Sequence, residues 1–371
     1  MKTRHLLLAV ILAAYTALGV AYSLVNPILE APDENLQFEF VRYLVNEGRL
    51  PVYRGEILPM RQEASQPPLY YALGALISGG VNTAEFGLAA RVNPHASIGI
   101  AEGVGNRNFF AHGPDREQPF QGTALAMHLV RWLSVALGAG TVLCTFLAAE
   151  LLFPERPALA VAAAALNAFT PGFVFIASAV NNDNLAALAA SAALVLLLKA
   201  RQAQWRWPWL VGLGAALGAA SLSKLNALGA IPAVGLAMAA AFAYENRGRP
   251  RGAWLPGLMR AGLIVGLTAL AVGGWWYVRN YLLYGDLLAS RVHFDVMAPH
   301  AEPPSVARLL SMLDGAFKSW WGVFGWFNIV YPPAAYQAAF VVCLALAAGA
   351  VAAAFMVTET RCRNVWQPAE R

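Results

Sequence analysis

The sequence predicts an all-α polytopic membrane protein with about eight transmembrane helices. Of its 371 residues, 58% are hydrophobic and only 13% are charged, whereas soluble domains carry about 25% charged residues. The mean hydropathy is +0.51. The apolar segments that predict spans are residues 6–25, 124–152, 158–178, 184–200, 208–222, 225–244, 257–278 and 338–357. The third observation is that the basic residues between these segments collect on one side of the membrane, as the positive-inside rule describes.

This distribution of charge predicts the topology. With a cytoplasmic N-terminus, the loops that carry Arg156, Arg201 and Arg249 all lie inside. An even number of spans returns the C-terminus to the cytoplasm. The long region 26–122 and the segment 279–337 then lie outside the plasma membrane. The net charge of +5 therefore reflects membrane orientation, and no nucleic acid partner is expected.

Two helices are expected on the outer surface after the first span, which lacks a cleavage site and is interpreted as retained. The first helix follows Asp33 and ends at Gly48, with Phe40 and Val41 on its apolar face and Gln37 on its polar face. The second begins after the run Gln66-Pro67-Pro68, because proline is favoured in the first turn of a helix. Both segments are too short to span a bilayer and fit its surface.

Asp33 and Glu34 are the first candidate site residues, because they follow the first span directly. Asp33 is expected either to cap the surface helix, with Glu34 favouring its N-terminal end, or to act as a general base. In the second case Glu34 orients Asp33 or shares a divalent metal with it. Ionisable groups at a membrane face favour the functional interpretation.

Four further charged residues fall on or near the same outer side. Arg279 follows the seventh span, where an arginine opposes the positive-inside trend and suits a lipid-linked phosphate, although it could also snorkel. Lys224 could assist Arg279 or snorkel likewise. Asp183 is the charged residue of a short asparagine-rich turn. Arg131, at the start of the second span, is expected to reach the lipid headgroups.

Motifs for soluble nucleotides and metals are not found in the sequence. It has no phosphate-binding glycine loop, nucleophile elbow or HExxH pattern, and its histidines and three cysteines do not have metal-ligand spacing. Chemistry on a soluble nucleotide is therefore not indicated.

The order of these motifs resembles the GT-C glycosyltransferases, and most closely their bacterial branch near protein mannosyltransferases and aminoarabinose transferases. The resemblance covers residues 6–335. It rests on Pro32-Asp33-Glu34, Gly48-Arg49-Leu50-Pro51, Gln66-Pro67-Pro68-Leu69-Tyr70-Tyr71, Asn182-Asp183, Ser223-Lys224-Leu225, Arg279-Asn280 and the run Trp321-Gly322 to Trp326. Since relatives usually have more spans, the expectation is either a short member of the family or a reading frame truncated at its C-terminus.

The resemblance implies a polyprenyl-phosphate sugar as donor and a lipid, glycan or protein as acceptor. Asp33 would be the base of a one-step inverting transfer at the outer face, with Glu34 beside it. The residues that would contact substrate are Arg279, Lys224, Asp183, Gln66, Tyr70 and Asn280. A divalent metal is left open.

The resemblance also implies three regions. Residues 1–278 form a GT-C-like transmembrane module that includes the outer loop 26–122, residues 279–337 form an aromatic-rich outer loop, and residues 338–371 form the last span and tail. Two other function classes stay open: a transporter or flippase of lipid-linked substrate, and a non-catalytic binder of lipid-linked sugar. A transporter predicts polar groups at the bilayer midplane, whereas the polar groups of this sequence gather at one interface.

Overall fold

A computed structural model describes residues 2–100, 107–113, 121–297 and 305–366. The regular structure within these ranges is almost wholly helical. The elements are α1 (Lys2–Val25), α2 (Glu34–Glu47), α3 (Leu69–Ser78), α4 (Phe86–Ala89), α5 (Gly122–Leu152), α6 (Pro157–Ala168), α7 (Pro171–Ala177), α8 (Asp183–Gln202), α9 (Trp207–Ser223), α10 (Ala230–Glu245), α11 (Arg251–Ala269), α12 (Trp275–Tyr284), α13 (Ser290–Val296), α14 (Val306–Gly322), β1 (Val323–Phe324), β2 (Ile329–Val330) and α15 (Pro333–Trp366).

The predicted spans are helical, and the chain is a multi-pass membrane protein. Within the described ranges, the segments long and apolar enough to cross a bilayer are Thr3–Val25, Gly122–Leu152, Asp183–Gln202, Leu225–Glu245 and Arg251–Tyr284. The pair α6 and α7 adds a sixth span if it is counted as one. Helix α9 and the segment Pro333–Gly349 of α15 are apolar but shorter. By length and composition, therefore, five or six of the eight predicted spans meet the criterion for crossing a membrane.

The third predicted span is bent by 61° between α6 and α7. Pro171 begins α7, and the preceding Thr170 is extended, as residues before proline usually are. Just after the bend, Gly172 lies against the backbone of α14, where an added Cβ would come within 2.5 Å of the carbonyl oxygens of Ser319 and Trp320. The bend and the glycine together let α14 lie on the end of the bundle.

The seventh span is longer than predicted. Helices α11 and α12 are joined by a π-helical turn, Leu270–Gly274, into one segment that ends at Tyr284, where Gly285 adopts a left-handed conformation. Gly273 lets this segment pack closely against α9, because an added Cβ would lie 2.8 Å from the carbonyl oxygen of Gly218 in α9. Arg279 therefore lies within α12 and does not open a loop.

The spans share two apolar cores. The first joins α1, α5, α6 and α7 around Tyr15, Val135 and Phe146. The second joins α8, α9, α10 and α11 around Leu213, Val234 and Phe242. Packing between α5 and α8 links the two groups of helices.

A third core lies at the end of the bundle and fixes the long first loop. It gathers apolar residues of α2, α3 and α13 with Trp326. The Trp326 indole donates to the carbonyl oxygen of Leu29 at 3.0 Å. Buried Glu30 accepts from the backbone amides of Phe109 and Phe110 at 2.8 and 2.9 Å and bonds His112 at 2.7 Å. These contacts tie distant segments around the turn that carries Asp33.

Both predicted surface helices form, α2 ending at Gly48 and α3 beginning after Pro68. The predicted polar face of α2 is wrong at Gln37, which is buried. The buried face runs through Glu34, Gln37, Phe38 and Val41, because the two polar side chains have partners inside the protein. Hydropathy alone assigns such residues to the solvent side.

Candidate active site

Asp33 lies in the turn between α1 and α2, at the bundle end that the long first loop covers. Its backbone is left-handed, with φ 58° and ψ 3°, a conformation in which aspartate is enriched but which is uncommon for residues other than glycine. Its carbonyl oxygen accepts from Leu36 and Gln37, so the helix begins there. The half-buried carboxyl group accepts from the Gln62 side chain at 3.4 Å.

The expectation that the Asp33 side chain caps α2 is wrong. Asp33 occupies the N-cap position, yet its carboxylate makes no capping hydrogen bond. The left-handed backbone turns the side chain away from the amides of the first turn, because capping requires an extended residue at this position. The carboxylate is therefore free to face other groups.

Glu63 is a second acid of this site. It lies on a short 3-10 helix, Arg61–Ser65, against which α13 packs. Its side chain is 6% exposed, and one carboxylate oxygen accepts from the Tyr71 hydroxyl at 2.8 Å. The pKa of Glu63 is raised to about 7, chiefly by burial and in part by the charges of Asp33 and Asp183, while the Tyr71 hydrogen bond and the charge of Lys224 lower it.

Lys224 and Asp183 form an ion pair, Nζ to Oδ2, at 2.8 Å, with Asp183 half exposed. Burial raises the pKa of Asp33, and the positive charge of Lys224 partly offsets this rise. Lys224 is thus close enough to act electrostatically on both Asp33 and Glu63. We refer to Asp33, Glu63, Asp183 and Lys224 as the Lys224 cluster.

The turn that carries Lys224 is held from two sides. Lys224 ends α9 and precedes a 3-10 helix, Leu225–Gly229. The Tyr277 hydroxyl of α12 donates to the carbonyl oxygen of Ser221 at 2.7 Å. From the first loop, the Gln66 side chain accepts from the amide of Leu225 at 3.3 Å. Gln66 therefore positions the lysine turn.

The turn that carries Asp183 is held by a buried amide network. Asn182 donates from its backbone amide to the Gln37 side chain at 3.1 Å and from its side chain to the Tyr71 hydroxyl at 3.0 Å. Because Tyr71 also donates to Glu63, this chain of hydrogen bonds connects α2, α3 and the start of α8. Buried polar groups that are fully bonded in this way rigidify their surroundings.

Glu34 points away from the Lys224 cluster into the protein. It is fully buried and forms a bidentate pair with Arg131 of α5, at 2.8 and 2.7 Å. The remaining guanidinium donors bond the carbonyl oxygens of Ser23, Asn26 and Pro27. The expectation that Arg131 reaches lipid headgroups is thus wrong, since its partners lie inside the protein.

Tyr70 is also buried behind the site. Its hydroxyl lies 2.7 Å from the Ser134 hydroxyl and accepts from the backbone amide of Asn181 at 2.9 Å. Both hydrogen-bonding partners are protein groups. Tyr70 fixes the turn before α8 and does not face the carboxylate of Asp33.

Arg279 lies in α12, beside the first loop. It donates to the carbonyl oxygen of Pro51 at 2.7 Å and to the Asn280 side chain at 3.4 Å, and it lies 4.9 Å from the centre of the Trp276 ring. Asn280 is buried and donates to the carbonyl oxygen of Leu287 at 3.3 Å. These contacts hold the first loop against α12, and they engage part of the guanidinium.

The described residues do not contain a group of three or more His, Cys, Asp or Glu side chains arranged to hold a metal ion. The acids of the Lys224 cluster instead have Lys224, Gln62 and Tyr71 as partners. The carboxylates are therefore neutralised or bonded by protein groups in this structure.

Two comparisons with known proteins bear on the fold. Residues 123–271 match the family described as dolichyl-phosphate-mannose-protein mannosyltransferase. The fold is similar to a structure of the S. cerevisiae protein O-mannosyltransferase Pmt1–Pmt2 complex bound to the sugar donor, with a TM-score of 0.50 and 18% identity over 77% of this chain. The chain spans 34% of that protein's length. Curated proteins give no match.

The structural match supports the GT-C-like helical fold that the sequence predicts. The family match agrees with the resemblance and covers less than half of the chain. The family match begins at the start of α5 and ends in the π-helical turn before α12. It therefore includes Asp183 and Lys224, whereas Asp33, Glu63 and Arg279 lie outside it. Roles for these residues rest on the geometry of this protein.

Proposed function

With the GT-C fold as the premise, we propose that this protein transfers a sugar from a polyprenyl-phosphate donor to an acceptor hydroxyl at the outer face of the membrane. Asp33 is the general base, and the sugar is transferred in one step with inversion. Lys224 binds the donor phosphate. The acceptor is a lipid, a glycan or a protein.

The observation that carries the proposal is the position of Asp33 next to the Lys224–Asp183 ion pair. A carboxylate with a raised pKa and an accessible ammonium group lie together at one end of a transmembrane bundle. Transfer from a phosphate ester needs a base for the acceptor and a cation for the leaving group. The Lys224 cluster has both.

The base acts on the acceptor. As the acceptor oxygen attacks the anomeric carbon, its proton passes to a carboxylate oxygen of Asp33. Burial raises the pKa of this carboxyl group, which makes Asp33 a stronger base than an exposed aspartate. Gln62 donates to the same side chain and holds it in place.

The cation acts on the leaving group. The bond between the anomeric carbon and the phosphate oxygen breaks, and the electron pair stays on the polyprenyl phosphate. Lys224 forms an ion pair with Asp183 at 2.8 Å. The donor phosphate would share Lys224 with Asp183 or replace Asp183 as its partner. A phosphate leaving group needs stabilisation of its charge more than it needs a proton.

Glu63 serves the site as a neutral acid. With a pKa of about 7, it is largely protonated in mildly acidic solution. In this form it adds no negative charge beside the donor phosphate. It also retains its hydrogen bond with Tyr71, and through Tyr71 it supports the turn of Asp183.

The proposal is tested by replacing Asp33 with asparagine. Asparagine also tolerates a left-handed backbone, and we expect normal insertion and stability. An amide cannot accept the proton, and transfer should fall by about 10²–10⁴-fold. The assay uses purified protein in vesicles, with polyprenyl-phosphate sugars beginning with the mannose derivative, and follows transfer and donor binding separately.

Asp314→Asn is the matched control. Asp314 lies on α14 and pairs with Lys318 at 2.6 Å, outside the Lys224 cluster, so this variant should transfer at the parental rate. If Asp33→Asn also transfers at that rate, Asp33 is not the base. If the parental protein binds donors but never transfers, the non-catalytic binder is correct.

A further inference from the structure

A cavity lies at the end of α9 that is opposite to Lys224. It has a volume of about 410 Å³ and is enclosed by the turn between α8 and α9, by α10 and by α11. Arg206, Arg260 and Gln204 provide its polar lining. Leu210, Phe242 and Ile264 provide apolar lining. The cavity is therefore amphipathic.

Its two arginines have no counter-ion among the residues that the structure describes. Within the described residues, neither Arg206 nor Arg260 has an ion pair or a side-chain hydrogen bond. The nearby acid, Glu245, is already engaged by Arg201 at 2.8 Å and by the Trp205 indole at 3.1 Å. Both side chains are exposed at the mouth of the cavity, so an anion from the membrane surface can reach the two guanidinium groups together. An arginine within an apolar helix such as α11 favours such a partner.

The surrounding aromatic residues place this cavity at a membrane interface. Trp205 stacks on Phe242 with 4.5 Å between ring centres, and Trp207 is 63% exposed. Tryptophan is enriched at the headgroup level of membranes. The basic loops that predict the cytoplasmic side adjoin the same end, since Arg249 lies between α10 and α11 and Arg251 begins α11.

We propose that this cavity binds an anionic phospholipid from the leaflet on the basic side, with its headgroup phosphate between Arg206 and Arg260. Guanidinium groups grip phosphate oxygens in pairs, and the N-terminus of α9 adds positive potential beside Arg206. The apolar lining around Leu210 and Ile264 receives the start of an acyl chain, which free phosphate does not have. Basic pockets between spans on this side are suited to such lipids.

The test compares two double variants that change the net charge equally. Arg206→Gln with Arg260→Gln removes the cavity pair, whereas Arg249→Gln with Arg251→Gln removes two exposed charges beyond it. Each variant is reconstituted in phosphatidylcholine nanodiscs with and without phosphatidylglycerol, and retained lipid is measured by native mass spectrometry after release into detergent. Loss of two direct arginine–phosphate contacts should weaken phosphatidylglycerol retention by at least about 100-fold. Loss of two surface charges in the control should weaken it by at most roughly 25-fold.

Gly257→Leu tests the cavity without changing charge. Gly257 lines the cavity, and an added Cβ would lie 3.3 Å from the Phe242 ring, so a leucine should occupy the space and reduce lipid retention. Equal losses in both double variants, or full retention in Gly257→Leu, would overturn the proposal. So would thermal stabilisation by inorganic phosphate as large as that by phosphatidylglycerol, because the site would then bind phosphate alone.

Discussion

Two groups of acids and bases at the same end of the bundle differ in how completely their charges are satisfied. Asp33 and Glu34 are neighbours in sequence, but they belong to different groups. Glu34 is 0% exposed, and its partner Arg131 has every hydrogen-bonding nitrogen engaged. Lys224 and Asp183 share one contact and remain partly exposed.

This difference separates a structural pair from the pair that we propose to act on substrate. The Arg131 pair joins the end of α1, the start of α2 and α5, and through the amide of Val180 it also joins the turn before α8. The pair therefore fixes the backbone of the two turns that carry Asp33 and Asp183. The Lys224 cluster keeps donors and acceptors available for a ligand because its partners do not saturate them.

The largest expected effect is on the buried pair. Arg131→Ala leaves Glu34 as an uncompensated buried charge and should destabilise the protein by about 3–5 kcal/mol. Unfolding of purified protein in detergent measures this loss. Lys224→Ala should cost at most about 1 kcal/mol, because exposed ion pairs contribute little to stability.

The double variant Glu34→Leu with Arg131→Leu checks the reason for that effect. Removing both charges should recover much of the stability, since replacing a buried pair by apolar groups is often close to neutral. If the double variant is as unstable as Arg131→Ala alone, the bonds from Arg131 to the backbone carbonyls matter more than its pairing with Glu34.

Glu63 should give the next largest effect, through pH. Its folded pKa of about 7 lies above the ordinary value of 4.5, so the folded state binds the proton more tightly than the unfolded state. Stability from this group is fully present below pH 4.5 and is lost as pH rises to about 7, by on the order of 3 kcal/mol. Glu63→Gln should remove this slope. Glu56→Gln, an exposed acid of the same loop, should leave it unchanged.

Lys224 should affect donor binding more than stability. Lys224→Gln removes the ammonium group proposed to bind phosphate, and we expect donor affinity to fall by roughly 10- to 100-fold, as for a hydrogen bond to a charged group. Lys318→Gln, on α14 and paired with Asp314 at 2.6 Å, is the control. Equal donor affinity in the two variants would show that Lys224 does not bind the donor phosphate.

The sequence predicts the fold well because hydropathy and caps are local signals. Apolar runs gave the spans, and Gly48 and Pro68 marked the limits of α2 and α3. The charge distribution among the loops placed Asp33, Asp183 and Lys224 on one side, and the folded protein brings these three residues together. The order of the spans along the chain is enough for this inference, because it decides on which side of the membrane each loop lies.

The residues that sequence reasoning missed depend on distant contacts. Glu63 lies in a five-residue 3-10 helix with no hydrophobic period. It is distinguished from other loop acids by its burial beside Tyr71 and near Asp33 and Lys224. Arg131 and Glu34 are 97 residues apart. An arginine inside an apolar span does signal a buried partner, but the sequence does not say which acid that partner is.

Arg279 should give the smallest effect, and it tests whether the first loop or the donor is its partner. Its guanidinium already bonds Pro51 and Asn280 and lies over Trp276. Arg279→Lys keeps the charge and loses the planar fork.

If Arg279 chiefly holds the first loop, the variant should lose about 1 kcal/mol of stability, and donor affinity should change by less than about fivefold. If Arg279 grips the phosphate in a bidentate contact, donor affinity should instead fall as far as in Lys224→Gln while stability stays unchanged. Measuring donor binding and unfolding on the same preparation separates these results, because only loss of the Pro51 contact lowers stability in the absence of donor.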